Sequence, residues 1–257
     1  MYLEKFRLDG KVAVITGAGR GIGFATAEAL CEAGAFVVIT DMDEASAGAA
    51  RDALLAKGGK AASARLDVTD SRMVESVCSA LLKAHGRIDI LVNNAGIAIS
   101  FIPAESMDDA SWLKVLDVNL NGLFWCCRAF GKAMLDQGGG VIVNVGSMSG
   151  DIVNYPQQQA NYNASKAAVH HLTRSLATEW AARGVRVHAV APTYIATELT
   201  KQAAADPQIS RHWIDGTPMG RLGQPEEIAS VILFLAGEGA SLMTGAVVTA
   251  DGGYTCW

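Results

Sequence analysis

Residues 11–23, KVAVITGAGRGIG, decide the fold of this 257-residue chain. Lys11 to Thr16 form a short, mostly apolar and β-branched run, and glycines follow at positions 17, 21 and 23. An alanine-rich segment then extends to Ala33, so the order predicts a strand, a tight loop and a helix. Such glycines let a backbone approach a pyrophosphate, and the helix N-terminus adds N–H donors. The stretch therefore predicts a dinucleotide-binding unit that contains Gly17, Arg20, Gly21, Ile22 and Gly23.

Strands and helices alternate along the rest of the chain. Further apolar strands are predicted at 36–40, 61–66, 88–92, 141–145, 185–191 and 247–249. Helices are predicted at 44–57, 71–85, 108–119, 122–135, 160–182 and 225–235. This alternation predicts a single α/β domain, residues 1–257, with a doubly wound parallel sheet of about seven strands and helices on both faces. Residues 193–223 show no regular pattern and are too long for a simple connection, so we expect a substrate lid there.

Composition narrows the function class. The chain is 50% hydrophobic and 18% charged, with a net charge of −5, which argues against a nucleic-acid surface. No apolar run approaches the roughly 20 residues of a membrane span. The five cysteines have no metal-ligand spacing, and their odd number, with no secretory leader, predicts reduced thiols and a cytoplasmic protein.

Acidic and amide residues follow several of the predicted strands. Asp41 ends the second strand, where a carboxylate can accept hydrogen bonds from a ribose and repels a 2′-phosphate, so it favours NAD over NADP. Arg20 instead favours NADP, because its guanidinium can bind a phosphate. Asp67 and Val68 end the third strand, and the segment 93–96, NNAG, ends the fourth. Since ligands bind at the carboxyl edge of such sheets, we expect Asp67 near the adenine and the asparagines at that edge.

Tyr162 and Lys166 lie four residues apart in a predicted helix, so their side chains share one face. A phenol has a pKa of about 10, and a nearby cation favours its ionised form. The pair is therefore a candidate for acid–base chemistry at an alcohol or a carbonyl.

Together, TGAGRGIG, NNAG, Asn119, the serine loop and Tyr162–Lys166 resemble the short-chain dehydrogenase/reductase family, in order and in spacing. The resemblance implies a Rossmann-type domain, a nicotinamide cofactor and a catalytic Asn119, Ser147, Tyr162 and Lys166. Tyr162 would be the general acid/base, Lys166 would bind the nicotinamide ribose and lower the tyrosine pKa, and Asn119 would help to hold a water. Further cofactor contacts are then expected at Val68, Asn94, Gly96, Ile195 and Thr197.

Two serines compete for the catalytic position in the segment 146–150, GSMSG. The spacing to the tyrosine that is commonest in the family points to Ser149. The local pattern of strand, glycine and serine points to Ser147, and a lengthened loop at 151–159 accounts for the difference. We favour Ser147 and expect Ser149 to contact substrate.

Within the family, the segments FRLDGK, TPMGR and VTADGGYTCW resemble bacterial polyol dehydrogenases of the galactitol type. The polar loop that contains Asn154 and Gln159 suits a substrate with many hydroxyls, because each buried hydroxyl left unpaired costs about 1–3 kcal/mol. We therefore expect an NAD-dependent oxidoreductase for a polyol and its keto-sugar. The alternatives are an NADPH-dependent 3-oxoacyl carrier-protein reductase, which Asp41 and the acidic composition disfavour, and a non-catalytic NAD-binding regulatory protein.

The resemblance also implies a homotetramer, and a structural Mg site near the C-terminal Trp257 in some members. Two positions depart from the family pattern. Thr193 replaces the usual glycine after the sixth strand, and His188 replaces a common asparagine. We expect His188 to be a core residue, and we assign no chemistry to His170 and His171.

Overall fold

Seven parallel strands form one sheet in the order β3-β2-β1-β4-β5-β6-β7. The computed structural model describes all 257 residues except the side chain of Gln202. The strands are β1 (Val12–Thr16), β2 (Phe36–Asp41), β3 (Lys60–Arg65), β4 (Ile90–Asn93), β5 (Gly140–Val145), β6 (Val185–Pro192) and β7 (Val247–Ala250). The parallel sheet predicted from the alternating pattern is thus confirmed.

Helices cover both faces of this sheet. They are α1 (Gly21–Glu32), α2 (Glu44–Ala56), α3 (Ser71–His85), α4 (Asp109–Leu116), α5 (Leu123–Asp136), α6 (Ala160–Trp180), α7 (Glu198–Ala204), α8 (Pro207–Asp215) and α9 (Pro225–Ala236). Successive residues of β1 point to opposite faces, so Ile15 packs with Leu30 of α1 and Ile232 of α9. Val14 packs on the other face, in the cluster that contains Phe130 of α5. Both faces are therefore buried, as a doubly wound fold requires.

The sequence pattern missed two features of the helical layer. The predicted break between residues 119 and 122 does not exist, because a π-helical turn, Asp117–Gly122, joins α4 and α5 without interruption. The segment 193–223 is not irregular, since it contains α7 and α8. Both helices are short, and α8 is fixed by burial of Trp213, which is 3% exposed. No helix that the structure describes has the length and apolar character needed to cross a bilayer.

Strand order places the candidate site. β1 and β4 are neighbours at the centre of the sheet, while the chain leaves them toward opposite edges. Such a reversal opens a crevice at the carboxyl ends of the strands. The glycine loop after β1, the NNAG segment after β4 and the serine loop after β5 all meet at this edge.

Candidate active site

The loop after β1 requires glycine at several positions, because a side chain there would clash or would not tolerate the backbone conformation. Gly17 and Gly21 have φ angles of 61° and 59°, which favour glycine. A Cβ on Gly17 would lie 2.8 Å from Ala95 Cα, and one on Gly23 would lie 2.6 Å from the Gly17 carbonyl oxygen. The half-buried Ile22 packs against the core below. The loop fits a cofactor pyrophosphate, since α1 begins at Gly21 with its first N–H groups directed out of the helix.

Asp41 borders this loop at the end of β2. Its Oδ2 accepts a hydrogen bond from the Gly19 N–H at 3.1 Å, and its Oδ1 accepts one from the Asp43 N–H at 3.1 Å. The carboxylate therefore has a fixed orientation beside the loop, where a ribose would lie. The Arg20 side chain is exposed.

The polar residues after β3 and β4 mainly brace the backbone. Asp67 Oδ1 accepts from both the N–H and the hydroxyl of Thr69, at 3.0 and 2.7 Å. Asn94 Nδ2 donates to the Thr16 and Gly17 carbonyls at 3.0 and 2.8 Å, so its amide fixes the glycine loop. Asp67 and Asn94 lie at the predicted edge, but these side-chain bonds are structural.

Val68 belongs to the core after β3, and Gly96 lies close to Lys166. Val68 is buried, and Gly96 is so placed that an added Cβ would lie 3.8 Å from Lys166 Nζ. On the opposite wall, Thr197 Cγ2 would lie 3.5 Å from a Cβ on Gly21, and Ile195 is buried beside it. Thr197 after β6 therefore faces the glycine loop, while Gly96 after β4 lies beside Lys166.

Asn119 occupies the π-helical turn and is buried. Its Oδ1 accepts from the Ile97 N–H, and its Nδ2 donates to the Ile97 carbonyl, both at 2.9 Å. Nδ2 also donates to the Ser165 hydroxyl at 3.2 Å. Both amide hydrogens are thus used to join the loop after β4 to α6, so this side chain can meet a water only as an acceptor.

Tyr162 and Lys166 lie in the first two turns of α6, on the face that covers the end of β5. Lys166 Nζ is 5.6 Å from the centre of the Tyr162 ring and donates to the Val145 carbonyl at 2.8 Å. The lysine is 5% exposed and the tyrosine is half-buried. The predicted pair is therefore held together at the carboxyl edge of the sheet.

Burial dominates the protonation of this pair. It raises the pKa of the Tyr162 phenol, while the hydrogen bond with Ser147 acts in the opposite direction. It also lowers the pKa of the Lys166 ammonium to about 8. In the protein chain alone, the net shift of the Tyr162 pKa is therefore upward, while the predicted contribution of the lysine stays a prediction. The physical reason is that desolvation penalises the charged form of both groups.

The two candidate serines are both buried but differ in what they face. Ser147 Oγ donates to Ser149 Oγ at 3.0 Å and accepts from the Ser149 N–H at 3.1 Å. Ser147 is the serine whose hydroxyl influences the Tyr162 phenol. The contact with the phenol favours Ser147 over Ser149 as the partner of the tyrosine.

The predicted substrate residues Asn154 and Gln159 are buried rather than open to solvent. Gln159 Nε2 donates to Asn154 Oδ1 at 3.1 Å, and Asn154 Nδ2 donates to the Tyr194 hydroxyl at 3.1 Å. Gln157 Nε2 donates to the same hydroxyl at 3.0 Å. Asn154, Gln157, Gln159 and Tyr194 therefore form one hydrogen-bonded network, which we call the polar wall.

Sequence reasoning missed Tyr194, which is the centre of that wall. Its ring stacks on Trp213 of α8, with centroids 4.1 Å apart and planes 8° apart. Trp213 Nε1 donates to Gln157 Oε1 at 3.1 Å, which ties α8 to the polar loop. Trp213 is 3% exposed, whereas Met219, at the end of the same segment, is 68% exposed. An aromatic residue directly after Thr193 was the available signal for Tyr194.

Comparisons with known proteins agree with this geometry. Residues 17–255 match the family model described as enoyl-(acyl carrier protein) reductase. Galactitol 2-dehydrogenase of Rhizobium johnstonii is 54% identical over 256 residues, covering 100% of this chain and 99% of the relative. Galactitol 2-dehydrogenase (L-tagatose-forming) of Cereibacter sphaeroides is 49% identical over 258 residues, with the same coverage.

Solved structures extend the agreement to the whole fold. The crystal structure of gox2181 is 54% identical, covers 100% of both chains and superposes with a TM-score of 0.99. A gluconate 5-dehydrogenase from Burkholderia cenocepacia, solved in complex with NADP and tartrate, is 35% identical, covers 100% of both chains and has a TM-score of 0.96. By its motifs, its fold and these full-length matches, the chain belongs to the short-chain dehydrogenase/reductase family.

Proposed function

We propose that this protein oxidises a secondary alcohol of a polyol to the corresponding keto-sugar with NAD, and catalyses the reverse reduction. The observation that carries the proposal is the meeting of Ser147, Tyr162 and Lys166 beside the glycine loop, at one edge of the sheet. Full-length relatives that are named as galactitol 2-dehydrogenases support the substrate class.

Each residue has a distinct task in this reaction. Tyr162, in its ionised form, takes the proton of the substrate hydroxyl, and in reduction its phenol returns that proton to the carbonyl oxygen. Ser147 hydrogen-bonds the same substrate oxygen and so holds it against the phenol. A bound nicotinamide cofactor supplies the acceptor for the hydride that leaves the carbinol carbon.

Lys166 acts on the tyrosine and on the cofactor ribose. Its ammonium is anchored to the Val145 carbonyl at 2.8 Å, which keeps the positive charge beside the phenol. A cation there favours the phenolate and so opposes the effect of burial. Asn119 keeps the Ile97 backbone and α6 at a fixed spacing, which preserves the distance between the two sides of the site.

A preference for NAD is part of the proposal and rests on Asp41. Its carboxylate, oriented by the Gly19 and Asp43 N–H groups, would accept from ribose hydroxyls and repel a 2′-phosphate. The gluconate 5-dehydrogenase solved in complex with NADP shows that the fold itself also admits the phosphorylated cofactor. Replacing Asp41 by Asn should therefore raise kcat/KM with NADP relative to NAD, while an unchanged ratio would remove Asp41 from this role.

A substrate panel with both cofactors tests the function. Galactitol, other alditols and ketoses are incubated with NAD or NADP, and the reduced cofactor is followed by its absorbance. We expect oxidation of at least one alditol, faster with NAD. Reduction of a carrier-bound 3-oxoacyl group in preference to any ketose would support the rival reductase. No turnover of any compound would support a non-catalytic role.

Assembly, location and metal binding are further parts of the proposal. We propose a homotetramer, for which the half-buried Phe124 and Trp125 on α5 offer contact surface, and light scattering would measure its mass. A cytoplasmic location accords with five free cysteines. Among the described residues, no group of three or more His, Cys, Asp or Glu side chains can hold a metal ion. A structural Mg ion near the C-terminal carboxylate of Trp257 stays a prediction from the family resemblance, and no step of the proposed reaction depends on it.

A further inference from the structure

One face of α6 continues past the catalytic pair. Tyr162, Lys166 and His170 follow at intervals of four residues, so their side chains project from successive turns toward the end of β5. Lys166 donates to the Val145 carbonyl, and two residues further along the same backbone the Ser147 N–H donates to His170 Nε2, at 3.5 Å. One helix face therefore holds both ends of the segment that presents the serine.

The imidazole of His170 fills the inside of the serine loop. The ring is 2% exposed. A Cβ on Gly146 would lie 2.5 Å from its Nε2, and a Cβ on Gly150 would lie 2.6 Å from its Cε1. The two glycines that flank the loop thus let the backbone fold closely around the ring.

Asp151 fixes the protonation pattern of this ring. Its Oδ1 is 3.2 Å from His170 Nδ1, which therefore carries the hydrogen and donates it. Burial lowers the pKa of His170, with Lys166 and Arg174 acting in the same direction and Asp151 against it. A neutral ring with hydrogen on Nδ1 leaves the Nε2 lone pair free to accept.

We propose that His170 is a positioning residue, which holds the backbone of Ser147 opposite Tyr162, and that Asp151 orients its ring for this purpose. The inference rests on the proposed role of Ser147. His170 acts through that serine and touches no substrate. A displacement of the serine hydroxyl by about 1 Å is enough to cost up to about a hundredfold in rate.

Variants of His170 in two backgrounds test the proposal. His170→Leu removes the acceptor, His170→Gln places an amide oxygen near the position of Nε2, and His171→Leu is an exposed neighbouring control. Measurements are kcat/KM for the alcohol or ketone that the wild type turns over best, and the Kd for NADH. We expect His170→Leu to lower kcat/KM about ten- to hundredfold, His170→Gln to restore most of it, and the Kd and the control to stay unchanged.

The Ser147→Ala background separates positioning from general damage. If His170 acts through the serine hydroxyl, His170→Leu has no further effect once that hydroxyl is absent. An equal loss in both backgrounds, no loss in the wild-type background, or full turnover of Ser147→Ala alone would each overturn the proposal. Failure of the proposed substrate class is a separate result, because the cycle uses whichever alcohol or ketone the protein accepts.

A spectroscopic measurement tests the geometry without turnover. Long-range proton–nitrogen correlation spectra of the ¹⁵N-labelled protein distinguish the two neutral forms of imidazole from the charged form. The His170→Gln variant assigns the signal. We expect a neutral ring with hydrogen on Nδ1 at pH 7, which Asp151→Leu changes and Asp151→Asn retains. A charged ring, or hydrogen on Nε2, would contradict the proposed acceptor role.

Discussion

Buried His188 makes stability depend on pH in a way that can be worked out from its surroundings. Its ring is fully buried in β6, with Nε2 3.0 Å from the Arg186 guanidinium, and within the described structure its Nδ1 has no partner. Burial, with the Arg186 charge, lowers its pKa from 6.5 to about 4. Between about pH 6.5 and 4, His188 is therefore protonated in the unfolded chain but neutral in the folded chain. Stability is full above about pH 6.5 and falls as the pH drops toward 4.

The size of the loss follows from the shift. One pKa unit is worth about 1.4 kcal/mol, so lowering the pH from 7 to 4 removes about 3 kcal/mol of unfolding free energy through His188 alone. The assay is urea unfolding, followed by tryptophan fluorescence at one protein concentration, at pH values between 4 and 8. His188→Asn removes the titrating group and should flatten the pH dependence by this amount.

The exposed His171 provides a matched control for this measurement. His171→Asn should keep the wild-type pH dependence. If His188→Asn and the wild type lose the same free energy between pH 7 and 4, the reasoning about the buried neutral ring is refuted.

Three further predictions concern the site. Because burial raises the pKa of Tyr162, kcat/KM for oxidation should rise with pH through the alkaline range, and a profile that is flat above pH 7 would contradict Tyr162 as the base. Tyr194→Phe leaves two buried side-chain amides without their acceptor, so it should cost about 1–3 kcal/mol in urea unfolding and raise KM for the polyol. Tyr155 is exposed, so Tyr155→Phe should change neither the unfolding free energy nor KM. An equal effect of the two variants would contradict the role of the Tyr194 hydroxyl as the acceptor for the two amides. Gly23→Ala forces a Cβ to within 2.6 Å of a loop carbonyl and should weaken NADH binding tenfold or more by fluorescence titration. Gly48 lies on helix α2 with open space around its Cα, so Gly48→Ala should leave NADH binding unchanged. Unchanged NADH binding by Gly23→Ala would contradict the assignment of the glycine loop as part of the cofactor site.

The sheet could be predicted because its signals are local. Most strands are short apolar runs between turn residues, with β3 (KAASAR) as an exception. The predicted ends of β1 and β2 differ from the observed ends by at most one residue. The glycines after β1 could be interpreted from the sequence because the fold requires them: the structure has no space for a side chain at Gly17 or Gly23. The placement of Tyr162 and Lys166 on one helix face likewise followed from spacing alone.

The missed features depend on contacts between distant segments. Helix α8 has only nine residues and is fixed by Trp213, which stacks on Tyr194 and bonds Gln157 in another loop. The π-helical turn at Asn119 leaves no mark in a hydrophobic pattern, because it changes hydrogen bonding and not composition. The raised tyrosine pKa also escaped prediction, since spacing shows a nearby lysine but not the burial of both groups.

The central claim is that Tyr162 performs the proton transfer in a site that binds the cofactor independently of it. The most direct measurement compares Tyr162→Phe with the wild type in two assays, oxidation of the best alditol and fluorescence titration with NADH. Phenylalanine keeps the ring and removes only the hydroxyl. We expect turnover to be abolished while the Kd for NADH stays nearly unchanged. Undiminished oxidation by Tyr162→Phe would contradict the assignment of the catalytic residue.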